Sequence, residues 1–164
     1  MTSTIQDSPY AWFRLVVSLA LATIGGIGIW SGIVVLPFIQ IEFGVDRSGA
    51  SFPYTMSMIG FAVGGLLMGR LADRFGIMVP MFLGSIMLGL GFITSALAPT
   101  YYIYVACQAV LIGLGCATIF GPLVADVSLW FQKRRGIAVA VAASGNYIAG
   151  TIWPPFLTWG IQTY

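Results

Sequence analysis

The sequence predicts an all-α polytopic membrane protein with five transmembrane helices. Three observations predict it. Of the 164 residues, 59% are hydrophobic and only 7% are charged, against about 25% charged in a soluble domain. The charges fall in short clusters separated by long uncharged runs, Leu15–Ile41, Ser48–Gly69, Phe75–Ala125 and Gly136–Tyr164. If five spans alternate, Arg14, Arg70, Arg74, Lys133, Arg134 and Arg135 share one side and only Arg47 lies on the other. That asymmetry is the positive-inside signal, so an integral protein of the plasma (inner) membrane is expected, with its N-terminus in the cytoplasm and residue 164 at the outer face.

Residues 1–12 read as a cytoplasmic segment, and 13–164 as a partial N-terminal transmembrane domain. The first span, near 13–40, is too long for the 7–15-residue apolar core of a cleavable signal. It holds Gly25-Gly26-Ile27-Gly28 and Gly28-xxx-Gly32, with Pro37 near its end; Glu42 and Asp46 beyond it read as loop charges. The second span, near 50–71, has Pro53 in its expected first turn, where a missing N–H costs little. It carries Gly60-xxx-Gly64 and Gly65-xxx-Gly69. The third, near 77–98, has Pro80 in its first turn. The long third run breaks at Ala98-Pro99-Thr100, so a fourth span follows near 101–125, opened by Tyr101, Tyr102 and Tyr104, with Pro122 near its end. Cys107 and Cys116 stand about 13.5 Å apart along that helix and on opposite faces, so they cannot pair within it. The fifth, near 136–161, carries Ala138-xxx-Ala142 and the small residues Ser144, Gly145, Ala149 and Gly150. Pro154-Pro155 is expected to kink or unwind its outer third.

Each segment is roughly 22–27 residues long, and a span needs about 20. Continuous apolar runs of this length are helices, not the alternating strands of a barrel. Lipid tails supply no hydrophobic drive for helix association, so the small-residue motifs are read as sites of close backbone approach.

The same inventory excludes other functions. The basic residues are too few for a phosphate-tracking stripe, so no nucleic-acid partner is expected. With no His and two Cys, the usual metal constellations cannot be built and no cofactor is implied. An intramembrane enzyme is not expected either, since there is no His, no mid-span carboxylate and no Ser–Lys pairing. No charge stands at mid-span, so no ion-coupling residue is evident.

Two loops carry information. Between spans two and three stands Gly69-Arg70-Leu71-Ala72-Asp73-Arg74-Phe75-Gly76. Gly76 suits a tight reversal, and Arg70 and Arg74 hold charge on the cytoplasmic side. Asp73 is not needed for orientation; it can accept from the N-terminal amides of a neighbouring helix or pair with a nearby Arg. This octapeptide resembles the signature loop of the major facilitator superfamily, G-x-L-x-D-R/K-x-G, matched by Gly69, Leu71, Asp73, Arg74 and Gly76. Ile77 and Met78 stand where that family usually adds basic residues. The resemblance implies a gating role for Asp73 and Arg74, against a helix of the transporter's second half.

The second loop, Asp126 to Gly136, holds Trp130, Phe131 and the cytoplasmic basic cluster Lys133, Arg134 and Arg135. Cations at a helix start oppose its dipole, and anionic lipid, membrane orientation or Asp126 is the expected offset. The stretch WFQKRRGIAVAVAASGNYIAG resembles the monocarboxylate and oxalate–formate branches of the superfamily. The resemblance implies two six-helix halves, each of 3+3 inverted repeats. This chain is then expected to be most of the N-terminal half, short of a sixth helix and of the C-terminal half.

Transporter sites lie near the bilayer midplane. The candidate cavity groups there are Thr23, Trp30, Gln108, Ser144, Asn146 and Tyr147. Thr23 and Trp30 share one helix face; Asn146, Gly150 and Trp153 share another. The expected function is secondary active transport of a small solute, such as a monocarboxylate or other organic anion, with a coupling proton or ion. The rival reading is a non-transporting membrane scaffold or an inactive truncated fragment.

Overall fold

The computed structural model describes residues 7–163. The expected placement of residue 164, and residues 1–6 of the N-terminal segment, lie outside them. Among the described residues the chain is helical throughout, without strands. The first span is three consecutive helices: α1 (Pro9–Gly25), α2 (Ile27–Val34) and α3 (Leu36–Phe43). The breaks at Gly26 and Val35 keep right-handed helical dihedrals, so the path continues through both. The second span is α4 (Arg47–Phe75), the third α5 (Met78–Ala96). The fourth is α6 (Tyr101–Cys107), a π-helical segment Gln108–Gly113, and α7 (Leu114–Trp130); the fifth is α8 (Arg135–Thr163). Five helical stretches are thus long and apolar enough to cross a bilayer.

The helices outrun the apolar runs because polar residues cap them. Ser8 caps α1 by accepting from the Ala11 N–H, with Pro9 behind it. Asp46, read as a loop charge, caps α4 through Oδ1, which accepts from the Gly49 N–H at 2.8 Å. This early start places Pro53 inside α4 rather than in its first turn. A proline strips the hydrogen bond from the carbonyl four residues earlier. Here that carbonyl, on Gly49, accepts from the Tyr101 hydroxyl of the fourth span at 2.7 Å. The expected unwinding at Pro154-Pro155 does not occur; α8 continues through both to Thr163.

Glycine decides where backbones meet. A Cβ on Gly60 would overlap the Ala109 carbonyl, and one on Gly113 would stand 2.6 Å from the Ser57 carbonyl. The second span therefore lies backbone to backbone against the π-helical segment. Alanines do the same for α8: Ala138, Ala142 and Ala149 are essentially inaccessible. The Gly65-xxx-Gly69 stripe behaves differently from the expectation. A Cβ on either residue would meet nothing within 4 Å, because α4 turns that face away from the described helices.

Three apolar clusters follow from these contacts. One, at the basic end, joins Ala11, Leu15, Val127, Phe131, Ala138 and Ala142. A central one joins the first, third and fourth spans through Ala22, Leu88, Ile112 and Cys116. One at the other end gathers Ile39, Ala50 and Tyr104. Both cysteines are free.

Candidate functional site

The mid-span polar candidates divide into two groups. In the first, two indoles cross between the first and fifth spans in opposite directions. Trp30 Nε1 donates to the Asn146 carbonyl at 2.9 Å, and Trp153 Nε1 donates to the Thr23 carbonyl at 2.7 Å. An indole N–H buried in hydrocarbon needs such an acceptor. Gly150 admits the Trp30 ring, whose Cζ2 would lie 2.5 Å from a Cβ there. The two predicted faces thus meet, and Thr23, Trp30 and Asn146 come together. The bond reaches Asn146 through its backbone. Its side-chain amide makes no hydrogen bond among the described residues; it borders a cavity of about 10 Å³ with Gly25, Phe61, Cys116 and Phe120, room for about one water molecule.

The second group surrounds Gln108, which is 5% exposed. Its Nε2 donates to the Tyr104 hydroxyl at 3.0 Å, and its Oε1 accepts from Ser57 Oγ at 3.3 Å. Gln108 opens the π-helical segment and borders a cavity of about 360 Å³ with Ser31, Phe38, Glu42, Phe92 and Tyr104. Ser144 and Tyr147 join neither group. Ser144 Oγ donates back to the Val141 carbonyl at 2.7 Å, and Tyr147 is 73% exposed on an outward face of α8. Ser57, Tyr104 and Trp153 stand outside the cavity candidates that the sequence offers. A proline-adjacent tyrosine cluster and the 146–150–153 face were the only sequence signals for the last two.

The two hairpins at the basic end are built differently. Residues Gly69–Phe75 are not a loop but the last two turns of α4; only Gly76, at φ +80°, and Ile77 reverse the chain before α5. Asp73 and Arg74 are exposed. The Arg74 guanidinium lies 5.2 Å from the Phe75 ring, and Asp73 has no hydrogen-bond or ion-pair partner among the described residues. Among the described residues Asp73 bonds to neither expected partner, a helix start or an Arg.

Asp126 also departs from its expected role. It does not offset Lys133, Arg134 and Arg135; its Oδ2 pairs with Arg14 Nη2 of the first span at 2.9 Å. Asp126 and Arg14 face each other where both are partly buried, while the three cations stand exposed. The Arg14 guanidinium also lies 4.4 Å over the Trp130 ring. A cavity of about 250 Å³ touches Phe13, Arg14, Ile77, Met78 and Asp126, so both hairpins share one end of the bundle, as the charge asymmetry requires.

Comparison with known proteins decides the family. The family model described as Major Facilitator Superfamily matches residues 15–164. The chain belongs to the Major Facilitator Superfamily.

Among similar proteins, the fujikurins efflux protein of Gibberella fujikuroi is 33% identical over 69% of this chain and 25% of its own length. The MFS-type transporter pytF of Aspergillus terreus is 30% identical over 70% of this chain and 38% of its own. The agnestins efflux protein AgnL12 of Paecilomyces divaricatus is 31% identical over 71% and 28% respectively. The chain therefore spans well under half the length of these relatives. Membership and five apolar helices make this superfamily chain an integral membrane protein.

Proposed function

We propose that this chain is the N-terminal portion of a secondary active transporter that moves a small organic solute by alternating access. One observation carries the reading. The superfamily signature Gly69, Leu71, Asp73, Arg74 and Gly76 closes the second span with its carboxylate and guanidinium exposed and unpaired with one another. An exposed carboxylate beside a helix end is ready to accept from amides or guanidinium groups on another body. In this reading the latch partner is the transporter's second half, and the basic end faces the cytoplasm of a cell whose plasma membrane holds the protein. The first and fifth spans supply one cavity wall, with the unpaired Asn146 amide as its polar group.

The relatives named as efflux proteins support outward movement. A monocarboxylate or other organic anion is the substrate class suggested by the resemblance of residues 130–150 to those branches of the superfamily. The coupling proton or ion is assigned to residues outside this chain, because no charge stands at mid-span here.

The test is Asp73→Asn in the full-length transporter. Net solute flux is expected to fall by about tenfold, the size of one lost charge-assisted contact, at unchanged membrane abundance. Unchanged flux kinetics would reject the latch.

A further inference from the structure

Residues 7–14 do more than start a helix. Ser8 alone caps α1. Asp7, one residue earlier, turns its carboxylate the other way, and Oδ2 accepts from the backbone N–H groups of Gln132 and Lys133 at 3.4 and 3.2 Å. Its own N–H donates to the Trp130 carbonyl at 3.1 Å. Asp7 is held at φ +56°, alone among the described non-glycine residues in that region, a conformation that persists where surrounding contacts impose it. One turn on, Trp12 meets Phe131 edge to face at 5.2 Å, and Tyr10 meets Trp130 at 5.6 Å. Arg14 then reaches Asp126 at 2.9 Å and stacks on Trp130. Every one of these contacts joins residues 7–14 to residues 126–133, more than a hundred positions away.

The geometry points to a strap: Asp7–Leu15 fastens the basic ends of the first, fourth and fifth spans into one body, with Arg14–Asp126 as its lock and Asp7 as its clamp on the connecting loop. The buried cluster of Ala11, Leu15, Phe131, Ala138 and Ala142 lies beneath it. Among the described residues, the α4–α5 hairpin makes no ion pair or side-chain hydrogen bond of this kind to another span. Resting on the transporter reading for this consequence alone, the strap holds the basic ends of these three spans together while the cavity opens and closes. Arg14 and Asp7 are positioning residues in that motion and touch no solute.

The test uses a single buried reporter. Ala138→Cys, in a Cys107→Ser/Cys116→Ala background, is placed in lipid nanodiscs and its reaction with a water-soluble maleimide is timed. The parent is expected to react slowly, because Ala138 is 0% exposed. Asp126→Asn and Asp7→Ala are each expected to speed labelling by about tenfold, the effect of one lost charge-assisted hydrogen bond on local opening. Asp73→Asn on the unstrapped hairpin is expected to stay near the parent. Exchanging the pair, Arg14→Asp with Asp126→Arg, is expected to restore most of the protection. Labelling at the parent rate in Asp126→Asn, or an exchange variant as reactive as the single one, would overturn the strap. If Ala138→Cys does not fold, Ala11→Cys on the facing helix reports the same opening. The measurement needs no solute, so it can fail while transport stands, and the reverse.

Discussion

The two hairpins at the basic end are made of similar residues and do opposite things. Each ends a long apolar span, carries one aspartate and at least two cations, and has an aromatic residue at its turn. In the hairpin between the fourth and fifth spans, Phe131 is 1% exposed and Asp126 is locked to Arg14. In the hairpin between the second and third, Phe75 is 57% exposed and Asp73 faces outward. The difference teaches that a charged turn is not a function by itself. A carboxylate satisfied inside its own bundle serves stability, and one left unsatisfied at the surface is available to another body.

The contrast should be largest for the two phenylalanines. Phe131→Ala empties a packed site against Trp12 and Leu15 and is expected to cost about 3 kcal/mol, as large aromatic truncations do. Phe75→Ala is expected to stay within about 0.5 kcal/mol, as exposed substitutions do. Thermal unfolding in detergent measures both; equal losses would erase the distinction.

The aspartates come next. Asp126→Ala strands a partly buried guanidinium and is expected to cost about 2 kcal/mol, below the 3–5 of a fully buried pair because Arg14 and Asp126 keep 31% and 17% exposure. Asp73→Ala is expected to leave the melting temperature in place. If Asp73→Ala unfolded the chain as readily, its carboxylate would have an internal partner after all.

The smallest effect concerns the glycines that lead into the free hairpin. Gly69→Ala meets open space and is expected to stabilise α4 by up to about 1 kcal/mol through helix propensity. Gly60→Ala, a few turns away, would drive a methyl into the Ala109 carbonyl and lower stability. A helix-content and melting comparison of the two variants separates a packed face of α4 from an unpacked one.

Much of the fold could be read from charge spacing, since an ionised side chain in hydrocarbon is expensive wherever it falls. Helix ends were harder. Asp46 read as a loop charge and became a cap, which moved the start of α4 and put Pro53 inside it. The candidate site was legible by halves. Helical periodicity placed Thr23 with Trp30, and Asn146 with Trp153, on single faces, but nothing in one helix says which other helix it will meet. The π-helical segment had no signal, because the fourth span is apolar all round and shows no single stripe whose shift of face would betray an extra residue in a turn.

From the sequence alone came the helical class, the five crossings, the basic end and the superfamily signature, because each is a local property of composition, period or motif. Only the tertiary structure decided that Asp126 belongs to Arg14, that the indoles of Trp30 and Trp153 cross to opposite carbonyls, and that Gly60 is pressed while Gly65 is free. Those outcomes depend on which faces of different helices come together across long stretches of chain, and a linear pattern carries no information about that pairing.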